Sequence, residues 1–196
     1  MAVSNLEVFQ LLVYVAALGS LAATLQYIRL MFKGRVRPNR VTWLMWAVAP
    51  LIATSAELVG NVGLAALPVF MSGFCPLLVF IASFATKKAY WKSAKLDYAF
   101  GVLSVLALVL WWLTKAPEIA IIFAIASDGL AAMPTVKKAW VHPESESFEP
   151  YAMLVVSAAT SFGVITTWTF SAYAFPAYLI CLNALILYGI FRRKAA

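Results

Sequence analysis

The chain has 196 residues, 64% of them hydrophobic and 12% charged, with a mean hydropathy of +0.89 and a net charge of +7. A soluble globular protein is about 45–50% apolar and about 25% charged, so this composition excludes a soluble domain, a disordered chain and a disulfide scaffold. A membrane helix takes roughly 20 apolar residues, so the length holds about seven of them and no sizeable extramembrane domain.

Apolar runs predict helices over 8–32, 41–59, 67–85, 96–114, 117–136, 150–170 and 172–191. Lipid offers no water to free backbone groups, so helix is the state such runs adopt. The first ten residues carry Glu7 and no basic residue. A cleaved leader has a positive start, so the first run reads as a retained helix. Arg29, Lys33, Arg35, Arg37 and Arg40 surround the first loop, and Lys87, Lys88, Lys92 and Lys95 fill the third. Lys137 and Lys138 open the fifth loop, and Arg192, Arg193 and Lys194 end the chain. With seven helices all of these share one side and Lys115 alone falls on the other. Lys and Arg in short loops mark the cytoplasm. The expected topology is a multi-pass membrane protein with its N-terminus outside and its C-terminus cytoplasmic. Tyr27, Trp43, Trp46, Tyr90, Trp91, Trp140, Trp168 and Tyr173 lie near helix ends and read as aromatic belts.

The two halves correspond at an almost constant offset. Leu21-Ala22-Ala23 matches Leu130-Ala131-Ala132 at 109, Trp43 matches Tyr151 at 108, and Ala66 to Phe70 matches Ala174 to Tyr178 at 108. This predicts an all-α architecture of two parallel three-helix repeats, 1–95 and 117–196, joined by a linker helix within 96–116. The linker returns the chain to its starting side, so the repeats lie parallel about an axis along the membrane normal.

Ionisable residues inside a bilayer are costly and are functional candidates by default. Asp128 lies 11 residues into the helix starting at Pro117, roughly 16 Å deep. Ala124, Ala131, Ala132 and Thr135 share its face, which allows close helix approach. Such a carboxyl suits a proton, a cation or an amine; alternatively it is a neutral acid bonded to a neighbouring hydroxyl. Glu57 lies near the outer end of its helix and is expected to reach water. Cys75 and Cys181 sit in apolar runs and read as packing residues, and the lone His142 lies in a polar loop. No catalytic triad, zinc motif, phosphate loop or CxxC pair occurs, so neither an enzyme, a metal nor a cofactor is expected. The last helix has no lysine before Lys194, which excludes a retinal Schiff base. The basic residues follow helix ends, not a nucleic-acid surface.

With this 3+1+3 layout the chain resembles the PQ-loop superfamily, which includes SWEET sugar transporters, cystinosin-like exporters and the KDEL receptor. The Pro-Gln pair of that group is split here between Leu25-Gln26 and Pro134-Thr135. The resemblance implies hinge prolines, met here by Pro50 and Pro134, although both can equally serve as packing kinks. It also implies a polar pair in the third and seventh helices. Asn183, seven residues after Pro176, fits one position, and Cys75, seven after Pro68, occupies the other. For Asn183 an interhelical hydrogen bond is the alternative role.

The function implied is a small-molecule transporter working by alternating access between two three-helix bundles, with Asp128, Asn183 and Cys75 in its substrate site and proton or cation coupling through Asp128. The alternative is a non-transporting receptor or scaffold of KDEL-receptor type. Its partners are lipid and a small-molecule substrate, with homo-oligomerisation open. At an offset of 109, Arg35, Arg37 and Arg40 correspond to Glu144, Glu146 and Glu149. The basic and acidic loops would share the cytoplasmic side, either pairing as a latch over the pathway or standing separately solvated.

Overall fold

In a computed structural model, the described residues are 5–86 and 117–192, with scattered positions between 95 and 113. Helix α1 spans Asn5–Phe32, and α2 spans Arg40–Val59. Asn39 starts α2, its side-chain oxygen accepting from the backbone N–H groups of Val41 (3.0 Å) and Thr42 (3.5 Å), which supplies partners for donors that a helix start leaves free. A 3-10 turn, Gly63–Ala66, leads into α3, Leu67–Ala82. Helix α4 spans Pro117–Val141, α5 spans Glu149–Val164 and α6 spans Phe170–Phe191. Pro117, Pro68 and Pro150 stand in the first turns of α4, α3 and α5, where the missing N–H costs no helix bond. Pro50, Pro76, Pro134 and Pro176 lie inside α2, α3, α4 and α6.

Helix α2 packs on α3 and α4, α1 on α3 and α5, and α6 on α4 and α5. The α2–α3 approach depends on Gly73. A Cβ there would stand 2.8 Å from Leu51 Cγ and 3.0 Å from the Ala47 carbonyl oxygen. Two of the four buried apolar clusters make up most of the interior. One is aromatic and includes Tyr27, Trp43, Trp46, Tyr151 and Ile186. The other, built from Ala53, Val69, Ala124, Ala158 and Phe175, is mostly small and close-packed. Outward faces carry exposed Leu11, Leu18, Leu25, Ile122 and Val156, the inverse of a water-facing surface and suited to lipid.

Two sets of contacts define the ends of the bundle. At one end Lys138 donates to the Arg37 carbonyl (2.6 Å), Arg192 to the Trp140 carbonyl (3.0 Å) and Arg40 to the Ser83 carbonyl (2.7 Å). These bonds bring the α4, α6 and α3 C-termini beside the α2 N-terminus. At the opposite end the Ser161 hydroxyl donates to the Ala65 carbonyl (3.4 Å), joining α5 to the 3-10 turn.

The seven-helix expectation is corrected. Six α-helices are present among the described residues, and four stretches are long and apolar enough to cross a membrane: Leu6–Phe32, Arg40–Val59, Gly63–Ala82 and Phe170–Phe191. Helix α5 has 16 residues, about 24 Å of rise against a hydrocarbon core of about 30 Å. Helix α4 carries Glu118, Asp128, Lys137 and Lys138. The linker helix expected within 96–116, together with Lys87, Lys88, Lys92, Lys115, Tyr90 and Trp91, lies outside the described residues, scattered positions apart. A 3+1+3 arrangement is therefore not what this fold carries, and the alternating-access mechanism built on two three-helix bundles falls with it. The fold defines an integral, multi-pass helical membrane protein.

Candidate functional site

Asp128 is 2% exposed, on the face of α4 that also buries Ala124, Ala131, Ala132 and Thr135. The Tyr178 hydroxyl of α6 donates to its Oδ2 at 2.8 Å. Its Oδ1 has no hydrogen-bond partner among the described residues. Asp128 borders a small cavity of about 20 Å³ together with Trp46, Ser72, Asn183 and Leu179. Asn183 donates its side-chain amide N–H to the Leu179 carbonyl (2.7 Å), and Ser72 donates its hydroxyl to the Val69 carbonyl (2.7 Å). Each bonds back to its own helix with one hydrogen, which leaves the Ser72 oxygen and, on Asn183, the amide oxygen and a second N–H.

Trp46, Pro76 and Leu154 also line a second cavity of about 20 Å³, with Ser20, Thr24, Trp43, Cys75 and Tyr151. The two cavities are thus adjoining chambers. Thr24 donates to the Ser20 carbonyl (2.8 Å), whereas the Trp46 indole N–H and the Ser20 hydroxyl have no partner among the described residues. Of the three substrate residues expected from sequence, Asp128 and Asn183 share the first chamber and Cys75 lines the second.

Sequence reasoning missed what closes the second chamber toward the basic end. Tyr27 packs on Trp43 (4.9 Å between centroids), Trp43 on Trp46 (5.6 Å) and Trp46 on Tyr151 (6.2 Å). All four rings are buried, which corrects the assignment of Tyr27, Trp43 and Trp46 to an interfacial belt. Trp168 and Tyr173 are exposed as a belt requires. Glu146 accepts from the hydroxyls of Tyr27 (3.2 Å) and Tyr151 (3.0 Å), and it forms a buried ion pair with Lys138. Spacing along the chain gave no sign of this cluster, because Tyr27 and Glu146 are 119 residues apart.

The loops expected to latch do meet, since the Arg37 N–H donates to the Ser145 carbonyl (3.3 Å). Arg35, Arg37, His142 and Glu144 line a groove there. The individual acids and bases turn elsewhere. Glu146 takes Lys138, Glu144 faces His142 at 3.4 Å, and Glu149 accepts from the Ser147 hydroxyl. Arg40 bonds Ser83 and lies over the Phe84 ring at 4.4 Å. Of the expected hinges, Pro50 lies next to the close α2–α3 approach, with its carbonyl accepting from Thr54 (2.8 Å), and Pro134 lies within α4.

Two smaller expectations are also corrected. Glu57 is 1% exposed, with both carboxyl oxygens unpartnered among the described residues. The 3-10 turn packs on α2, and Val62 bonds back to the Glu57 carbonyl (3.0 Å), so the chain covers the helix end. Cys75 is buried but Cys181 is exposed on α6.

No family model, curated protein or solved structure matches the chain. The resemblance to the PQ-loop superfamily is therefore withdrawn, and with it the SWEET-like transporter and the KDEL-receptor-like alternative.

Proposed function

We propose that the protein binds a small organic cation of the alkylammonium type at Asp128, inside the bundle. The unpartnered buried Oδ1 of Asp128, on a residue that lines a cavity with Asn183 and Ser72, carries this proposal. A buried carboxylate needs a countercharge or a proton, and an ammonium group supplies both charge and donors. Asn183 and Ser72 would take its remaining N–H groups, and the Trp46 ring would offer a face to the cation. As it stands the cavity beside Asp128 has about 20 Å³ of free space, room for about one water molecule, so an alkylammonium guest moves the surrounding side chains aside.

The test is calorimetric titration of the protein in lipid nanodiscs with isobutylammonium chloride. Binding should be saturable, absent for the neutral isobutanol, and lost in Asp128→Asn. Equal binding by Asp128→Asn would overturn the proposal.

For orientation in the membrane, the basic end is the cytoplasmic one, with the N-terminus outside and the C-terminus inside. Supporting this, Lys33, Arg35, Arg37, Lys137 and Arg192 gather where the α1, α4 and α6 C-termini meet the α2 N-terminus, in line with the positive-inside rule.

A further inference from the structure

The groove at the basic end has about 270 Å³ of free space, against about 20 Å³ beside Asp128. It is lined by Gly34, Arg35 and Arg37 from the α1–α2 loop and by His142, Glu144 and Ser145 from the turn after α4. Backbone bonds fix the first of these segments. Gly34, at φ +74°, turns the chain out of α1, and the N–H groups of Gly34 and Arg35 donate to the Met31 (2.9 Å) and Leu30 (3.0 Å) carbonyls. A left-handed glycine just past the last turn is a common helix stop. Further on, the Arg37 N–H donates to the Ser145 carbonyl, and the Arg37 carbonyl accepts from Lys138. Val36 is buried between two exposed arginines. Side chains of an extended segment alternate in direction, so Arg35 and Arg37 share the outward face and both line the groove.

Their guanidinium groups have no hydrogen bond or ion pair among the described residues. The acids nearby are engaged elsewhere. Glu144 faces His142, Glu146 takes Lys138 and two tyrosines, and Glu149 accepts from Ser147. The Arg29, Leu30 and Met31 carbonyls at the end of α1 are already taken by backbone N–H groups. The groove therefore presents two free cationic forks on a pinned backbone. A guanidinium is a planar, permanently charged donor that matches two oxygens of a phosphate.

The surroundings say where that phosphate comes from. Phe32 precedes the loop, Val141 precedes His142, and both side chains are exposed. On a bundle whose outward faces suit lipid, these apolar groups mark the acyl-chain boundary, and the groove beside them stands at headgroup depth. Basic pockets at that depth suit acidic headgroups.

We propose that the groove binds the headgroup phosphate of an anionic phospholipid, with Arg35 and Arg37 as its ligands. This site is separate from Asp128 and independent of what binds there.

The test is native mass spectrometry of the full chain with dioleoylphosphatidylglycerol and dioleoylphosphatidylcholine, which share acyl chains and differ in net charge. The protein should retain one phosphatidylglycerol about tenfold more tightly than phosphatidylcholine, as one charge-assisted hydrogen bond allows. Arg35→Gln with Arg37→Gln should abolish that preference and leave thermal unfolding unchanged, because neither side chain has a partner to lose. Lys33→Gln with Lys137→Gln removes the same charge from the same end outside the groove lining, and should keep the preference within about threefold. Equal retention of the two lipids by the parent protein would overturn the proposal. So would a preference that survives the arginine pair, or one that falls as far with the lysine pair, which would mean diffuse attraction. Inorganic phosphate titrated into the protein in phosphatidylcholine nanodiscs separates the sources. It should show no saturable binding; saturable binding lost with the arginine pair, without any phosphatidylglycerol preference, would assign the groove to a soluble phosphate and overturn the lipid.

Discussion

Lys138 and Glu146 form an ion pair with both side chains withdrawn from solvent, and Lys138 also donates to the Arg37 carbonyl at 2.6 Å. Through Tyr27 and Tyr151 the same carboxylate reaches α1 and α5. One buried contact thus ties α1, α4, α5 and the loop before α2 at the basic end, beneath the aromatic wall of the cavity.

Removing one partner of a buried pair strands the other charge. Lys138→Met should destabilise the protein by about 3–5 kcal/mol. Lys138→Met combined with Glu146→Gln should cost much less, because glutamine is neutral and its carbonyl still accepts from the tyrosines. Thermal unfolding in nanodiscs reads the cycle. Additive losses would mean that the two side chains are not coupled.

At Gly73 the obstacle to a Cβ is the Ala47 carbonyl oxygen as well as Leu51, and backbone cannot turn aside. Gly73→Ala should therefore lower stability by about 1–3 kcal/mol. Gly129→Ala is the contrast. Its Cβ would meet the Tyr178 hydroxyl at 3.5 Å, an ordinary contact, and alanine favours helix by about 1 kcal/mol over glycine. Gly129→Ala should be neutral or stabilising, and an equal loss at both positions would refute the close-approach account.

A good part of this was legible in the sequence. The apolar runs ending at Phe32, Val59 and Phe191 end where α1, α2 and α6 end. Hydropathy failed where helix and apolarity part company. The run expected to close at Val136 continues to Val141, because Lys138 is buried by a partner rather than by apolarity. The run expected over 150–170 breaks at Val164. Ile165 turns extended and the polar Thr166 and Thr167 follow, so Phe170 begins α6 instead of ending α5. Asp128 stood out because a lone mid-helix carboxyl is costly in lipid. Tyr178 as its partner, Trp46 as the wall between chambers, and the Lys138–Glu146 pair are long-range contacts that no local pattern encodes. The count of seven helices and the repeat layout came from apolar length and short, common-residue matches, which do not measure packing.

Protons compete with a cation for the Asp128 carboxylate. Among the described residues lining its chamber no other side chain is ionisable, and Tyr178 is the titratable group bonded to it. The site takes a cation when the carboxyl is ionised, so isobutylammonium affinity should fall as the pH is lowered, by no more than about tenfold per unit for one proton. Titration at a series of pH values checks this, and affinity that rises in acid would be inconsistent with the site.

Orientation is tested by single cysteines in a background lacking Cys75 and Cys181. With the basic end cytoplasmic, Asn61→Cys should react with an impermeant maleimide on intact cells, and Glu144→Cys only after permeabilisation. The reverse pattern would invert the topology.

The account stands or falls on an ammonium nitrogen touching Asp128. The chain contains two aspartates, Asp97 and Asp128, so carbon-13 aspartate labelling in an Asp97→Asn background marks one carboxyl. Solid-state NMR dephasing between that carboxyl and nitrogen-15 isobutylammonium, in bilayers, then measures the contact. The account predicts a nitrogen-to-carboxyl-carbon separation of roughly 3–4 Å, the reach of a charge-assisted hydrogen bond, with no specifically bound nitrogen in Asp128→Asn. A bound ligand whose nitrogen shows no dephasing from Asp128 would contradict it.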